Sequence, residues 1–542
     1  MNIETINETI NSTQLISNDK KIKIVEGDMS VPDIKPDILS LVDVDTEVYI
    51  TKVETENGKV NVEGVLDVSV IYMSDDENGT FRNLNNVFNF YETFNTDEVM
   101  EDSMVDLKVY KGATECKVIN GRKINIKVPI TLDLRTMNNV ECCFARDVVD
   151  DRNVEIQKEN INMSILCNCK NQEINLEENI SLDENCPPIG EILRANIKLI
   201  NEDYKISYNK ILAKADALIK IIYIADNEKQ TPEFFESTVP VMGFVDYDGI
   251  NEDMKVKLDF NVKSFIVRPI YQDLKSVSFA VESNIDVKAC VYNNQEINII
   301  SDIYRPDMNL NCEYKNVQII QNVINQNENI EMTQGLLIPD LENVRVLNID
   351  ATPNITKKSV LDGKVALEGN IVFDILFYNE TKRTIENKKM ELPFQQVVKV
   401  NGLQTGMYAN VTMDIAQINY QKIDGSQMQI RLLANINVSV EEERTIRGIT
   451  NIDTEEVSNI NTPSIVIYYV KAGDSLWNIA KRFRTTVSNI MEENELQSDN
   501  IVPGQQLVIS KKNIKPRVEL MNWRNWIERG NKKGTEVKMC NF

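Results

Sequence analysis

A strand pattern written three times constrains this chain more than any other feature. The segment KVNVEGVLDVSVIY ends at Tyr72, KILAKADALIKIIY at Tyr223 and KVALEGNIVFDILF at Phe377, 151 and 154 residues apart. In the first copy Val60, Val62, Leu66, Val68 and Val70 alternate with Asn61, Glu63, Asp67 and Ser69. A period of two puts one strand face in a core and the other in water. A second match lies further along each copy: Ile124, Ile126, Val128, Ile130, Leu132 and Leu134, then Val277, Phe279, Val281, Ser283, Ile285 and Val287, then Met428, Ile430, Leu432, Ala434, Ile436 and Val438. A looser third anchor is a proline shortly before an aliphatic residue, at Pro32-Asp33-Ile34, Pro188-Ile189 and Pro339-Asp340-Leu341.

Repeats of this length are domains rather than the short stacked units of a solenoid. The expected fold is mainly β, with three tandem antiparallel β-rich domains over residues 19–155, 156–310 and 311–450 and a short N-terminal segment, 1–18. Turns rich in Asn, Asp and Gly break the strands, which suits an antiparallel sandwich or a curled sheet with one wet face. A linker at 451–464, a small βααβ domain at 465–510 and a basic tail at 511–542 complete the expected order.

Composition excludes several kinds of chemistry. None of the 542 residues is histidine. Ser-His-Asp and Cys-His nucleophiles, His-ligated zinc and an imidazole pH switch are therefore all absent. The 83 acidic residues exceed the 59 basic ones, giving a net charge of −24 that opposes nucleic acid and anionic lipid. No phosphate-binding glycine loop, GxSxG or EF-hand spacing occurs, and a solvated acidic face explains the carboxylates better than a catalytic pair. No cofactor, metal site or catalytic residue is expected.

The nine cysteines form no CxxC pair and read as incidental or buried thiols of a reducing compartment. The N-terminus lacks the basic and apolar regions of a secretory signal, so the expected location is cytoplasmic. The longest clean apolar run, residues 465–470, falls far short of the roughly 20 needed to span a bilayer.

The pattern changes near residue 465. A short strand leads to a turn at Ala472-Gly473, with Asp474 or Ser475 capping a helix whose apolar face is Leu476, Ile479, Ala480 and Phe483. A second helix starts at Thr485 or Thr486 and buries Val487 and Ile490; Pro503-Gly504 then turns the chain into a closing strand, 506–509. The residues Tyr468, Val470, Lys471, Gly473-Asp474-Ser475-Leu476-Trp477, Ile479-Ala480, Asn494-x-Leu496 and Pro503-Gly504-Gln505-x-Leu507-x-Ile509 closely resemble a LysM domain. That resemblance implies binding of N-acetylglucosamine glycans, above all peptidoglycan, in a groove between two loops. By position, the groove consists of Gly473, Asp474, Ser475 and Leu476 with Ile501, Val502, Pro503 and Gly504.

The repeated strand, Gly64 to Tyr72 in its first copy, resembles the SPOCS domain of endospore-forming bacteria, although Ala215 stands where the other copies have Gly64 and Gly369. SPOCS repeats followed by one LysM domain are similar to the SipL-like family of clostridial spore coat morphogenetic proteins. The likeness implies a non-enzymatic scaffold in the mother-cell cytoplasm, at the forespore surface and spore coat. Its implied partner is a SpoIVA-like morphogenetic ATPase, joined by other coat proteins; the alternative ligand is peptidoglycan in the wall or cortex.

Two further features bear on partners. Trp477 lies about 100° round the helix from the apolar face, on the side of Lys481, where it is open to a partner or else packs on an adjoining loop. The tail holds nine Lys and Arg against three acidic residues. Its Leu520, Trp523 and Ile527 are at helical spacing beside Arg524 and Trp526, an arrangement suited to an acidic partner, an anionic membrane surface or the LysM module itself.

Overall fold

The computed structural model describes residues 3–510 apart from 77–78, 150–153, 273–274, 339–340, 406, 408 and 456–464. The first unit comprises β1 (Thr5–Ser30), β2 (Ile38–Glu56), β3 (Lys59–Ser74), β4 (Phe81–Asn95), β5 (Met104–Lys111), β6 (Glu115–Asn120) and β7 (Lys123–Val148). The second comprises β8 (Glu155–Ser181), β9 (Ile189–Ser207), β10 (Lys210–Ala225), β11 (Pro232–Asp246), β12 (Lys255–Gln272) and β13 (Lys275–Tyr304). The third comprises β14 (Asn309–Leu337), β15 (Val344–Leu361), β16 (Lys364–Asn379), β17 (Thr384–Lys399), β18 (Ala409–Lys422) and β19 (Gln427–Glu455).

Each unit is a sandwich of two antiparallel sheets. In the first, β2-β3-β4 faces β1-β7-β5, with β6 also on β7; the second repeats this as β9-β10-β11 over β8-β13-β12, and the third as β15-β16-β17 over β14-β19-β18. The alternating residues read from the sequence form the facing surfaces. Val60, Val62, Leu66, Val68 and Val70 of β3 share a core with Ile124, Ile126, Val128, Ile130, Leu132 and Leu134 of β7, all fully buried. Two-residue turns join the second and third strands of each unit at Asn57-Gly58, Tyr208-Asn209 and Asp362-Gly363. Their second residues have φ of 81°, 53° and 72°, which glycine and asparagine tolerate best.

Three expectations need correction. Residues 5–18, set apart as an N-terminal segment, form the first half of β1 and pair with β7 from Thr5↔Val148 to Asn18↔Arg135. Ile10, 1% exposed, supplies the buried contact there. At the other end, residues 451–455 belong to β19 rather than to a linker. The proline anchor of the first unit is Pro36-Asp37-Ile38: Ile34 is 92% exposed, whereas Ile38 and Ile189 are buried at the starts of β2 and β9. The buried hydroxyls of Tyr72 and Tyr223 donate to the carbonyls of Pro36 and Pro187, both at 3.1 Å, which fixes that alignment.

The six strands that begin and end the units, 26–30 residues each, are far longer than ordinary strands of about 5–6 residues. One part of each covers its own sandwich. The rest extends as a two-stranded arm, and the three arms pack together through Ile10, Phe144, Ile161, Ile297, Ile319 and Ile446. In the second unit, at the end of the three-stranded sheet from which the arm extends, Cys169 and Cys290 are opposed in the β8–β13 register and joined by a disulfide. Lying 121 residues apart, they gave no sign in the sequence, where all nine cysteines read as thiols.

The sandwiches also meet one another. Ile71, Ile222 and Leu376, one position in three copies, converge with Leu193 and Leu347 in a shared apolar cluster. Beside it lies a polar cavity of about 1520 Å³ walled by all three units. There Arg194 donates to Asp43 at 2.5 Å, Asn196 to Asp45 at 2.6 Å, Asn387 to Asp43 at 2.6 Å and Lys220 to Asp350 at 3.0 Å.

Candidate ligand-binding site

The C-terminal module folds as β20 (Ile465–Tyr469), α1 (Leu476–Phe483), α2 (Val487–Glu493) and β21 (Gln506–Ser510), with β20 and β21 antiparallel. Leu476, Ile479, Ala480, Ile490, Leu507 and Ile509 form its core, the apolar stripes expected for both helices. Ser475 caps α1 by accepting from Asn478 N at 3.2 Å, and Thr486 caps α2 by accepting from Asn489 N at 3.1 Å. Asn494 clips β21 to α2: its side chain donates to Val508 O at 2.7 Å and to Ile490 O at 2.8 Å, and accepts from Val508 N at 2.7 Å.

Two loops are held side by side at one end. Val470 N donates to Gln505 O at 2.9 Å, and Gly504 N donates to Val470 O at 2.7 Å. In the first loop the Asp474 carboxylate accepts from Lys471 N at 2.8 Å and from the Tyr468 hydroxyl at 2.7 Å. These bonds hold Asp474 below the ordinary carboxylate range, so it remains an anion at the mouth of the loop. Gly473 and Gly504, both at φ 88°, occupy the left-handed backbone region that glycine tolerates.

This geometry brings the expected groove residues together. Gly473, Ser475, Val502, Pro503 and Gly504 are exposed, Val502 by 65%, while Asp474 and Ile501 are half-buried. Leu476 is 1% exposed and faces the core, because the first apolar position of α1 must fill the space beneath the sheet.

Trp477 and Lys481 share a side of α1, but that side is covered by the second unit. The Trp477 indole N–H donates to Asp302 Oδ2 at 2.8 Å, and the Lys481 ammonium donates to Asp302 Oδ1 at 2.5 Å. The indole stands edge-on to the Tyr304 ring, 4.9 Å between centroids. The Tyr304 hydroxyl donates to Thr485 O at 3.0 Å, and Arg484 bonds Asn309. Burial raises the Asp302 pKa, but the bonds from Lys481 and Trp477 outweigh it and leave the carboxyl below its ordinary range. Nothing in the sequence flagged Asp302 or Tyr304; they lie 175 and 181 residues from Trp477 and Thr485. Trp523, Arg524 and Trp526 of the tail lie outside the described residues.

Comparison with known proteins agrees with this division of the chain. The SipL, SPOCS domain family model matches residues 37–122, 188–270 and 340–423, and the LysM domain model matches 468–510. The chain is thus a three-SPOCS protein carrying one LysM domain, the architecture of SipL-like proteins. It is 46% identical over 46 residues to the uncharacterized protein YkzQ of Bacillus subtilis, covering 8% of this chain and 61% of YkzQ. It is 49% identical over 43 residues to the probable peptidoglycan endopeptidase LytE of the same organism, 8% of this chain and 13% of LytE. With the N-acetylmuramoyl-L-alanine amidase sle1 of Staphylococcus epidermidis it shares 35% identity over 85 residues, 14% of this chain and 26% of the amidase. The chain therefore spans less than two thirds of each of these relatives, and its likeness to the hydrolases runs through their LysM regions. No solved structure matches it.

Proposed function

We propose that this protein is a non-enzymatic scaffold of spore coat assembly that holds a SpoIVA-like morphogenetic ATPase through its LysM domain. On this reading it works in the mother-cell cytoplasm at the forespore surface. The carrying observation is the domain order, three SPOCS domains followed by one LysM domain. The absence of histidine from a chain filled by binding domains favours a scaffold over a hydrolase. A second reading, peptidoglycan binding, draws on the likeness of the LysM domain to LytE and sle1 and on the exposed loops at 473–475 and 502–504.

One experiment separates the two. The full chain is offered a purified SpoIVA-like ATPase and, in parallel, purified peptidoglycan sacculi, together with a chain ending at residue 464. The scaffold reading expects the intact chain to retain the ATPase, the shortened chain to lose it, and neither to sediment with sacculi. Sedimentation of the intact chain without ATPase retention overturns it in favour of a glycan ligand.

A further inference from the structure

The flank of α1 that carries Trp477 has every mark of an interface hot spot: an indole, a lysine beside it and an arginine at the helix end. In this chain all three are engaged from within. Asp302 takes one bond from Trp477 on Oδ2 and one from Lys481 on Oδ1. Its Oδ1 also accepts from Ile303 N at 2.9 Å. Tyr304 contributes a ring beneath the indole and a hydroxyl to the C-terminal end of the helix, while Asn309 engages Arg484.

Asn309 opens β14 of the third unit, but the contact made by Asp302 and Tyr304 is particular to the second. Val148, Ile303 and Ile452 are equivalent positions that share one cluster where the arms meet. One residue before them stand Asp147, Asp302 and Asn451, and one residue after stand Val149, Tyr304 and Asp453. Asp147 is bonded to Lys158 at 2.8 Å, and neither the first nor the third arm has an aromatic residue in the Tyr304 position. Among the described residues, an aspartate whose side-chain partners all come from the LysM domain and an aromatic ring two residues on coincide only on the second arm.

We propose that Asp302, Tyr304, Trp477 and Lys481 form an intramolecular seat that fixes the LysM domain on the arm of the second SPOCS unit, leaving the loops at 473–475 and 502–504 as the face presented to its ligand. Trp477 is then a positioning residue and lies outside the ligand's footprint. The seat stands whichever ligand the domain takes, whereas the footprint rests on the functional reading above. Loss of Trp477 weakens binding indirectly, by releasing the domain from its orientation.

The test uses the full chain with Trp523→Phe and Trp526→Phe, so that Trp477 alone fluoresces. Asp302→Ala and Tyr304→Ala, both outside the LysM domain, each shift its emission to the red and speed its quenching by acrylamide. Val502→Asp leaves emission and quenching unchanged but abolishes retention of the SpoIVA-like ATPase or, if sacculi are the ligand, sedimentation with them. Saturating ligand leaves Trp477 quenching as it was. Unchanged emission in both body variants overturns the seat, and protection of Trp477 by bound ligand overturns the footprint. If neither ATPase nor sacculi bind, the functional reading and its footprint fail together, while the emission of the Asp302 and Tyr304 variants still decides the seat.

Discussion

Glu47 projects from β2 into the half-open cavity shared by the three units, where its side chain keeps 47% of its exposure. Burial pushes its carboxyl up to about 7, Lys111 at 3.8 Å offsets part of the rise, and Asp45, Asp350 and Asp67 add to it. Since the ordinary value is 4.5, the folded chain binds more protons here than the unfolded chain between pH 4.5 and about 7. Stability from this group is therefore complete below pH 4.5 and is lost as the pH rises through about 7. Glu47→Gln reduces the fall in melting temperature between pH 5 and pH 8 and raises the melting temperature at pH 8. Glu202, also pushed up to about 7 by burial, keeps the remainder of the slope. An unaltered slope in Glu47→Gln rules out this account. None of this was legible in the sequence, where Glu47 is one of 83 acidic residues, Lys111 lies 64 positions along the chain and Asp350 comes from the third unit.

At the scale of the element, the alternation in β3, β10 and β16 was enough to assign strands, faces and core residues. The one irregularity, Ala215 between Gly64 and Gly369, needed the register to explain it. Gly64 lies opposite Phe90 and Gly369 opposite Phe394, whereas Ala215 lies opposite Val241. A Cβ on Gly64 would come within 2.4 Å of the Phe90 ring and 2.9 Å of Tyr49 O. The aromatic ring covers the bare glycine, and a smaller opposite residue leaves room for a methyl group. Gly64→Ala accordingly destabilises the chain by about 1–3 kcal/mol. Adding Phe90→Val restores part of that loss, the remainder reflecting the fixed Tyr49 carbonyl. Chemical denaturation of the two singles and the double gives the coupling, and strictly additive losses refute the pairing. The LysM loops were similarly legible, because their glycines, caps and apolar stripes are local; what covers Trp477 was not, because its partners come from another domain.

Across the whole molecule, each unit touches both others, and the contacts between successive units carry opposite signs. Arg82 of β4 and Glu233 of β11 are equivalent, each paired across its sheet with the tyrosine that ends the repeated strand. Glu191 of β9 and Arg345 of β15 are likewise equivalent, 154 residues apart. Between the first and second units Arg82 meets Glu191 at 3.2 Å, with Lys35 on the same carboxylate at 2.7 Å. Between the second and third, Glu233 meets Arg345, which also donates to Pro232 O at 2.7 Å. A second unit set against another copy of itself would oppose Glu233 to Glu191, and the first set against the third would oppose Arg82 to Arg345. The order of the units around their shared cavity is thus written in charge on top of a common apolar contact. Arg345→Glu opposes two carboxylates and lowers the melting temperature; adding Glu233→Arg restores an attractive pair and recovers most of the loss. The expected coupling is about 1 kcal/mol, a modest value because Arg345 remains 35% exposed. Repeating the swap in half-molar salt shrinks that coupling, as screening requires of a partly exposed pair. If the double variant is no more stable than Arg345→Glu alone, apolar packing rather than charge fixes the neighbours, and the reversed signs at the two interfaces carry no ordering role.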